Sequence, residues 1–201
     1  ITASDLDPAV ITGQPALATS PADTDEFLIS DAGVLKRLDA SLIGGGGKIG
    51  QVISTAKTDV FTTTSTSFTD ITGLTVNITP SASNSKIYIM SNFQGRTDSG
   101  SGYPVYRMLR DSTVINSGTG SIGSRVQAFV TMNIYNADNA TGMSIATAFL
   151  DSPSTTSQVT YKIQMKSTGG NDMGVGSVGG DADSTHNARS ASVITVMEVL
   201  A

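Results

Sequence analysis

One glycine-rich motif in the chain has the spacing of a phosphate-binding loop. Gly118-Thr119-Gly120-Ser121-Ile122-Gly123 fits the G-x-G-x-x-G pattern, whose glycines let the backbone approach a pyrophosphate at a helix N-terminus. The residues that follow, 125–135, have the pattern of a strand, and the position about 20 residues further on is Met143 rather than an acid. We therefore expect a loop between strands here, and no nucleotide cofactor.

Oxygen ligands and the single histidine are concentrated in one Gly-rich stretch near the C-terminus. Asp181 and Asp183, with Asn171 and Asp172 nearby, carry the hard oxygen atoms that Ca²⁺ prefers, but their spacing fits no known calcium loop. Any catalytic triad or histidine metal pair would have to include His186. We expect these residues to be solvated loop residues, with no metal site and no catalytic residue.

The composition disfavours two classes of function. Cleavage of a polysaccharide needs paired carboxylates and usually aromatic platforms, whereas the chain has no Trp and only 5% aromatic residues. Its 12 basic residues against 17 acidic ones give a net charge of −5, which provides no positive field for nucleic acid. We expect neither an enzyme nor a nucleic-acid partner.

The same composition indicates a β-rich fold. Ser and Thr together number 52 of 201 residues, Gly numbers 21, and charged residues are only 14%. A hydrophobic content of 38% is sufficient for a core, and Cys is absent, so packing and assembly must supply the stability. No run of about 18 apolar residues exists, so we expect no membrane insertion.

The first 43 residues predict an extended arm followed by a small hairpin. Residues 1–22 contain three of the six prolines and no sustained period. Strand patterns at 27–30 and 34–38 flank a three-residue loop, Asp31-Ala32-Gly33, and residues 39–43 suit one helical turn capped by Asp39. The chain begins with Ile rather than Met, so we expect a fragment of a longer chain or a processed N-terminus.

Four consecutive glycines at 44–47 predict a flexible linker between the arm at 1–43 and a head domain at 48–201. The head sequence has strand patterns separated by turn residues. This pattern favours an all-β, eight-stranded jelly-roll sandwich. The predicted strands are 49–54, 68–79, 86–93, 104–110, 125–135, 143–150, 159–166 and 191–200.

The last predicted strand is apolar on both faces. Val193 and Met197 lie on one parity, and Ile194 and Val196 on the other. Because a strand with one solvated face should alternate, the second apolar face needs cover from another sheet or from another copy of the chain, and we expect a subunit contact. With the first strand added, the predicted subunit contact is Val52, Ile53, Val196 and Met197.

Several blocks of the chain together resemble the C-terminal domain of many bacteriophage tail-fibre and virion proteins. They are spread over residues 22–199 of the chain, and the likeness is one of fold-level pattern. The head blocks are Gly50-Gln51-Val52-Ile53, 62–69, 71–80, 85–89, 149–156, 160–164 and 193–199, and residues 22–31 with 35–41 look like a connector that recurs in phage fibres.

The resemblance implies a trimeric jelly roll, related in shape to the tumour-necrosis-factor and C1q heads, at the end of a virion fibre. It implies a homotrimer that contacts other virion proteins through residues 1–43 and a glycan or protein receptor on the host surface. It implies no catalytic residue. The alternative function is structural, that of a capsid-attached fibre or decoration protein.

Strand counting predicts where a receptor would bind. If each strand crosses the sandwich once, the connections after the odd-numbered strands gather at the end opposite the linker, and these include the longest, most Gly-rich loops. We therefore expect a receptor-facing tip at that end. Its predicted residues are Arg96, Asp98, Tyr103, Asn171, Asp172, His186 and Arg189.

Overall fold

The computed structural model describes residues 22, 24–43, 49–98, 102–119, 123–132, 141–178 and 181–200. The chain separates into two compact units, Ile1–Gly46 and Gly47–Ala201. The predicted linker at 44–47 and most of the predicted extended arm lie outside the described residues.

The first unit contains a two-stranded antiparallel hairpin and one helical turn. Strand β1 (Glu26–Asp31) pairs with β2 (Val34–Asp39), and the turn α1 (Ala40–Ile43) follows directly. The hairpin is confirmed, but its loop has two residues rather than three. Ala32 and Gly33 both have positive φ, 51° and 82°, which is the backbone of the tight turn that matches strand twist.

The second unit is all-β. All its strand pairs are antiparallel, and they form two sheets that pack face to face. Its strands among the described residues are β3 (Ile49–Lys57), β4 (Phe61–Thr63), β5 (Thr69–Ile78), β6 (Lys86–Thr97), β7 (Pro104–Arg110), β8 (Thr113–Ile115), β9 (Val130–Thr131), β10 (Thr141–Asp151), β11 (Val159–Ser167), β12 (Met173–Val175) and β13 (Ser192–Val199).

The first sheet has the strand order β3-β13-β6-β10, because β6 pairs with β13 and β10. The short strand β12 continues the β13 side of β6 and pairs in turn with β4. The second sheet has the order β5-β11-β7, and both β8 and β9 pair with β7.

The core lies between the two sheets and is formed by the inward parity of each strand. The predicted core faces of β5, β6 and β11 are confirmed, since every apolar residue on them is buried. Phe93 of the first sheet contacts Tyr106 of the second, with ring centroids 5.0 Å apart. The buried residues on these three strands are Leu74, Val76, Ile78, Ile87, Ile89, Phe93, Val159, Tyr161, Ile163 and Met165.

The predicted strand at 125–135 is wrong for most of its described length. Residues 125–129 are not extended in a sheet, and only Val130–Thr131 forms a strand, while 133–135 lie outside the described residues. Both β8 and β9 pair with β7, so they are two parts of one interrupted edge strand, and the described residues 116–119 and 123–129 between them are not in a strand. Turn-rich insertions of this kind conceal a strand from pattern analysis.

Strand register divides the connections between two ends of the sandwich. Lys57 pairs with Ser192, and Pro104 with Ser167, so the segments after β3, β6 and β11 leave at one end, which we call the loop end. Ile49 pairs with Val199 at the opposite end, where the chain enters. This is the arrangement that strand counting predicts. Within the described part of the chain, no helix has the length and hydrophobicity needed to span a membrane.

Candidate functional site

A buried arginine organises the loop end. Arg96 is the last residue but one of strand β6. Its side chain is only 2% exposed, and its guanidinium forms ion pairs with Asp98 and Asp172. The Nη2 atom lies 2.9 Å from Oδ2 of Asp172, which immediately precedes β12. The ion pairs therefore fasten β12 to the end of β6.

A glycine makes room for the arginine. Gly174 of β12 lies against it so closely that a Cβ there would be 2.6 Å from Nε of Arg96 and 2.8 Å from the carbonyl oxygen of Phe61. The Nε atom has no hydrogen-bond partner among the described residues. Only a residue without a side chain fits between Arg96 and β4.

In this cluster, burial and the attraction between opposite charges shift the pKa values in opposite directions. Burial alone would lower the pKa of Arg96, but Asp98 and Asp172 outweigh burial and raise it. Burial raises the pKa of Asp172, and its hydrogen bond with Asp98 adds to this effect against the influence of Arg96. The arrangement is that of a structural ion-pair cluster, because the cation is enclosed and cannot meet a ligand.

A second group of polar residues lies in the exposed loop before β13. Arg189 donates to both carboxylate oxygens of Asp181, at 2.8 and 2.7 Å, and this pair closes a cleft of about 330 Å³. His186 is exposed, with Nδ1 3.5 Å from Oγ of Ser184. Asp183 also lines the cleft, so the loop presents a carboxylate and a guanidinium side by side.

The remaining predicted tip residues lie where β7 begins and β11 ends. The amide of Tyr103 donates to Oγ1 of Thr168 at 2.7 Å, and the amide of Thr168 donates to the carbonyl of Tyr103 at 3.1 Å. Asn171 is half-buried. All seven predicted residues lie at the loop end, but Arg96 is buried, so its assignment as a residue that contacts a receptor is wrong.

The outer face of the first sheet carries several exposed apolar side chains. Val52 is 56% exposed, Leu150 46% and Met90 43%. On the outward parity of these four strands, the charged residues among the described side chains are Lys86, which is exposed at one end of β6, and Arg96, which is enclosed at the other. We call this surface the apolar face. It comprises Val52, Ser54, Ala56, Tyr88, Met90, Asn92, Ala146, Ala148, Leu150, Val193, Thr195, Met197 and Val199.

The four residues predicted to form a subunit contact divide between two environments. Val52 of β3 and Met197 of β13 belong to the apolar face, and they lie opposite each other where the two strands pair. Val196 is fully buried and Ile53 packs against the core, so both point into the sandwich. Their assignment to the contact is wrong, because the opposite sheet of the same chain covers the inward parity of β13.

A shallow groove of about 420 Å³ crosses the apolar face between β10 and β13. Met90, Ala148 and Val193 line it. The predicted subunit contact came from comparing the two faces of the last strand, so it did not include Met90 and Tyr88 of β6. These two residues are the outward residues in the middle of β6 and both are apolar, so the pattern of β6 identifies the same face.

Metal and nucleotide chemistry receive no support from the described side chains. No group of three or more His, Asp or Glu side chains among them is placed to hold a metal ion. Both oxygens of Asp181 are engaged by Arg189. In the glycine motif, Gly118 and Thr119 form a loop after β8, and residues 120–122 lie outside the described residues.

The sequence matches no protein-family model and no curated protein. The functional assignment therefore depends on the geometry of the apolar face and of the loop end.

Proposed function

We propose that the chain is a virion structural protein, the trimeric tip domain of a bacteriophage tail fibre, and that it binds a receptor on the host surface. The observation that carries this proposal is the apolar face. A four-stranded surface with three large apolar side chains more than two-fifths exposed is a surface for another protein.

The strand order supports a jelly roll. The four main strands of the first sheet, β3-β13-β6-β10, combine the first and last strands of the sandwich with two from its middle. The second sheet combines β5, β11, β7 and the interrupted edge strand β8–β9. Sequential main strands thus change sheet at every step except from β7 to the edge strand β8–β9, as in a double Greek key.

The apolar face supports assembly through the first sheet. Its residues are all uncharged, whereas the outer face of the second sheet carries Asp70, Arg107 and Lys162. Only the first of these two faces can be dehydrated without burying charge. A homotrimer packed through this face leaves the loop end and the second sheet exposed.

The loop end supports receptor binding. Its exposed loop holds Asp183, His186 and Arg189 at the end of a rigid sandwich, away from the point where the chain enters. Binding residues are commonly placed on loops supported by such a scaffold.

Exchange of residues 182–188 for a Gly-Ser segment tests the receptor assignment. The exchange keeps Asp181, Arg189 and β12, so the core and the Arg96 cluster remain intact. We expect the folded assembly to persist and adsorption of the variant virion to its host to be lost. Unchanged adsorption by a folded assembly would refute the assignment.

One observation favours the second candidate function, a capsid-attached fibre or decoration protein. The small first unit exposes several apolar side chains, with Leu28 at 59%, Val34 at 58% and Leu42 at 66%. Such a hairpin suits attachment to another virion protein. Electron microscopy of labelled particles separates the candidates, because a label on the capsid supports the structural role and a label at the tail supports the receptor role.

A further inference from the structure

The outer face of the second sheet carries a group of cations on two adjacent strands, β7 and β11. Lys162 and Lys166 alternate outward along β11, and Arg107 of β7 lies opposite Gln164 in the register. Phe68 lies just before β5. We call this group the basic patch, and its members are Phe68, Asp70, Arg107, Lys162, Gln164 and Lys166.

Arg107 is held in place from two sides. Its guanidinium carbon lies 4.0 Å from the centroid of the Phe68 ring, within the range of a cation–π contact. Its Nε donates to Oε1 of Gln164 at 2.7 Å, and Gln164 in turn donates through Nε2 to Asp70. The edge formed by Nη1 and Nη2 takes no part in the bond to Gln164.

Lys166 lies at the same aromatic ring. Its Nζ is 5.4 Å from the Phe68 centroid, so two cations share one ring. Among the described residues, neither Arg107 nor Lys166 has a carboxylate oxygen within 4.0 Å, whereas Lys162 is paired with Asp70 at 2.9 Å. The patch thus contains three cations and one carboxylate.

This local excess of positive charge contrasts with the net charge of −5 of the whole chain. Charges at a protein surface act over about 8 Å at physiological ionic strength. The patch therefore attracts an anion at close range, while the chain as a whole repels a densely charged polyanion. A polymer with single, spaced carboxylates suits this field better than a polyphosphate does.

We propose that the basic patch binds the carboxylates of an acidic polysaccharide. The planar guanidinium of Arg107 receives one carboxylate through its Nη1–Nη2 edge, in the bidentate geometry that arginine favours. Lys166 supplies a second positive charge, and the partly exposed ring of Phe68 offers an apolar surface to the sugar. The patch lies on the sheet opposite to the apolar face, so it stays exposed in the proposed trimer. The inference rests on the proposed function only for placing the polysaccharide on a host surface.

Titration calorimetry of the purified full chain with polygalacturonate tests the site. We expect binding that weakens as salt rises, and a loss of about tenfold in affinity in R107Q and in K166Q. The control K36Q removes one positive charge from the first unit and should bind as the wild type does. Because R107Q also loses the contact with Phe68, K166Q keeps the test valid if R107Q fails to fold.

Equal binding by all variants, or no binding of polygalacturonate at low salt, would overturn the proposal. Preference for inorganic polyphosphate over polygalacturonate would also overturn it, since the ligand would then not be a carboxylate polymer. If the chain binds polygalacturonate but is not trimeric, only the proposed function is contradicted. The same holds if the chain binds but the 182–188 exchange leaves adsorption unchanged.

Discussion

Glu198 is a buried carboxylate whose environment couples the stability of the fold to pH. It is buried on β13, and its carboxylate accepts hydrogen bonds from Nε2 of Gln51 at 2.7 Å and from the amide and hydroxyl of Ser81 at 2.6 and 2.7 Å. Burial alone would raise the pKa of Glu198, but these bonds lower it to about 2. The residue thus joins the β5–β6 turn to the first and last strands of the head.

This pKa predicts an acid-sensitive contribution to folding. Since the folded-state pKa lies below the ordinary value of 4.5, Glu198 stabilises the fold above pH 4.5, and the contribution is lost as the pH falls toward 2. We expect E198Q to be about 2 kcal/mol less stable at neutral pH and to lose less stability on acidification. Urea unfolding at several pH values measures this.

The matched control is D183N, which removes an exposed carboxylate and should keep the wild-type pH profile. Parallel loss of stability in E198Q and wild type between pH 4.5 and 2 would show that other groups cause the acid sensitivity.

Among the elements, β12 depends on the ion pairs of Arg96. Met173 and Val175 of β12 are fully buried, yet the strand has only three residues. We expect R96M to cost about 3 kcal/mol, because two neighbouring carboxylates lose their cation. The triple variant R96M/D98N/D172N should recover most of this loss, since it also removes the two negative charges. Denaturant unfolding measures both.

R189M is the control for that experiment. It breaks the exposed pair with Asp181, and its effect on unfolding should be much smaller than that of R96M. Equal destabilisation by R96M and by the triple variant would contradict the electrostatic explanation and assign the loss to packing.

Elements with strict alternation were predictable from sequence, and interrupted ones were not. The alternation of Ile87, Ile89 and Phe93 identifies β6 and its core face without further information. By contrast, β12 contains Gly174 and pairs along the far half of β6, so only the tertiary fold defines it. The burial of Arg96 was unpredictable for the same reason, since its partner Asp172 is 76 residues away.

The two faces of β13 show that the pattern of a single strand does not determine which face is buried in the core. The sequence indicates that both faces are covered, and the structure places Val196 in the core and Met197 on the apolar face. Which parity meets the opposite sheet depends on the pairing of β13 with β3 and β6, and that pairing involves residues far apart in sequence.

For the whole molecule, the division into two units predicts where the isolated chain is cleaved. Contacts are dense within Ile1–Gly46 and within Gly47–Ala201, and four glycines occupy 44–47. We expect limited proteolysis to cut there first and to leave a stable fragment that begins near Lys48, identified by mass spectrometry. First cleavage inside the head would contradict this division.

Light scattering of the purified chain tests the proposed association of three copies through the apolar face. We expect a particle of three times the 20.6 kDa chain mass at micromolar concentration, and a folded monomer for M197D, because a buried unpaired carboxylate opposes association. N77D, which adds a charge to the outer face of the second sheet, should remain trimeric. A monomeric wild type, or M197D that assembles as the wild type does, would contradict the account.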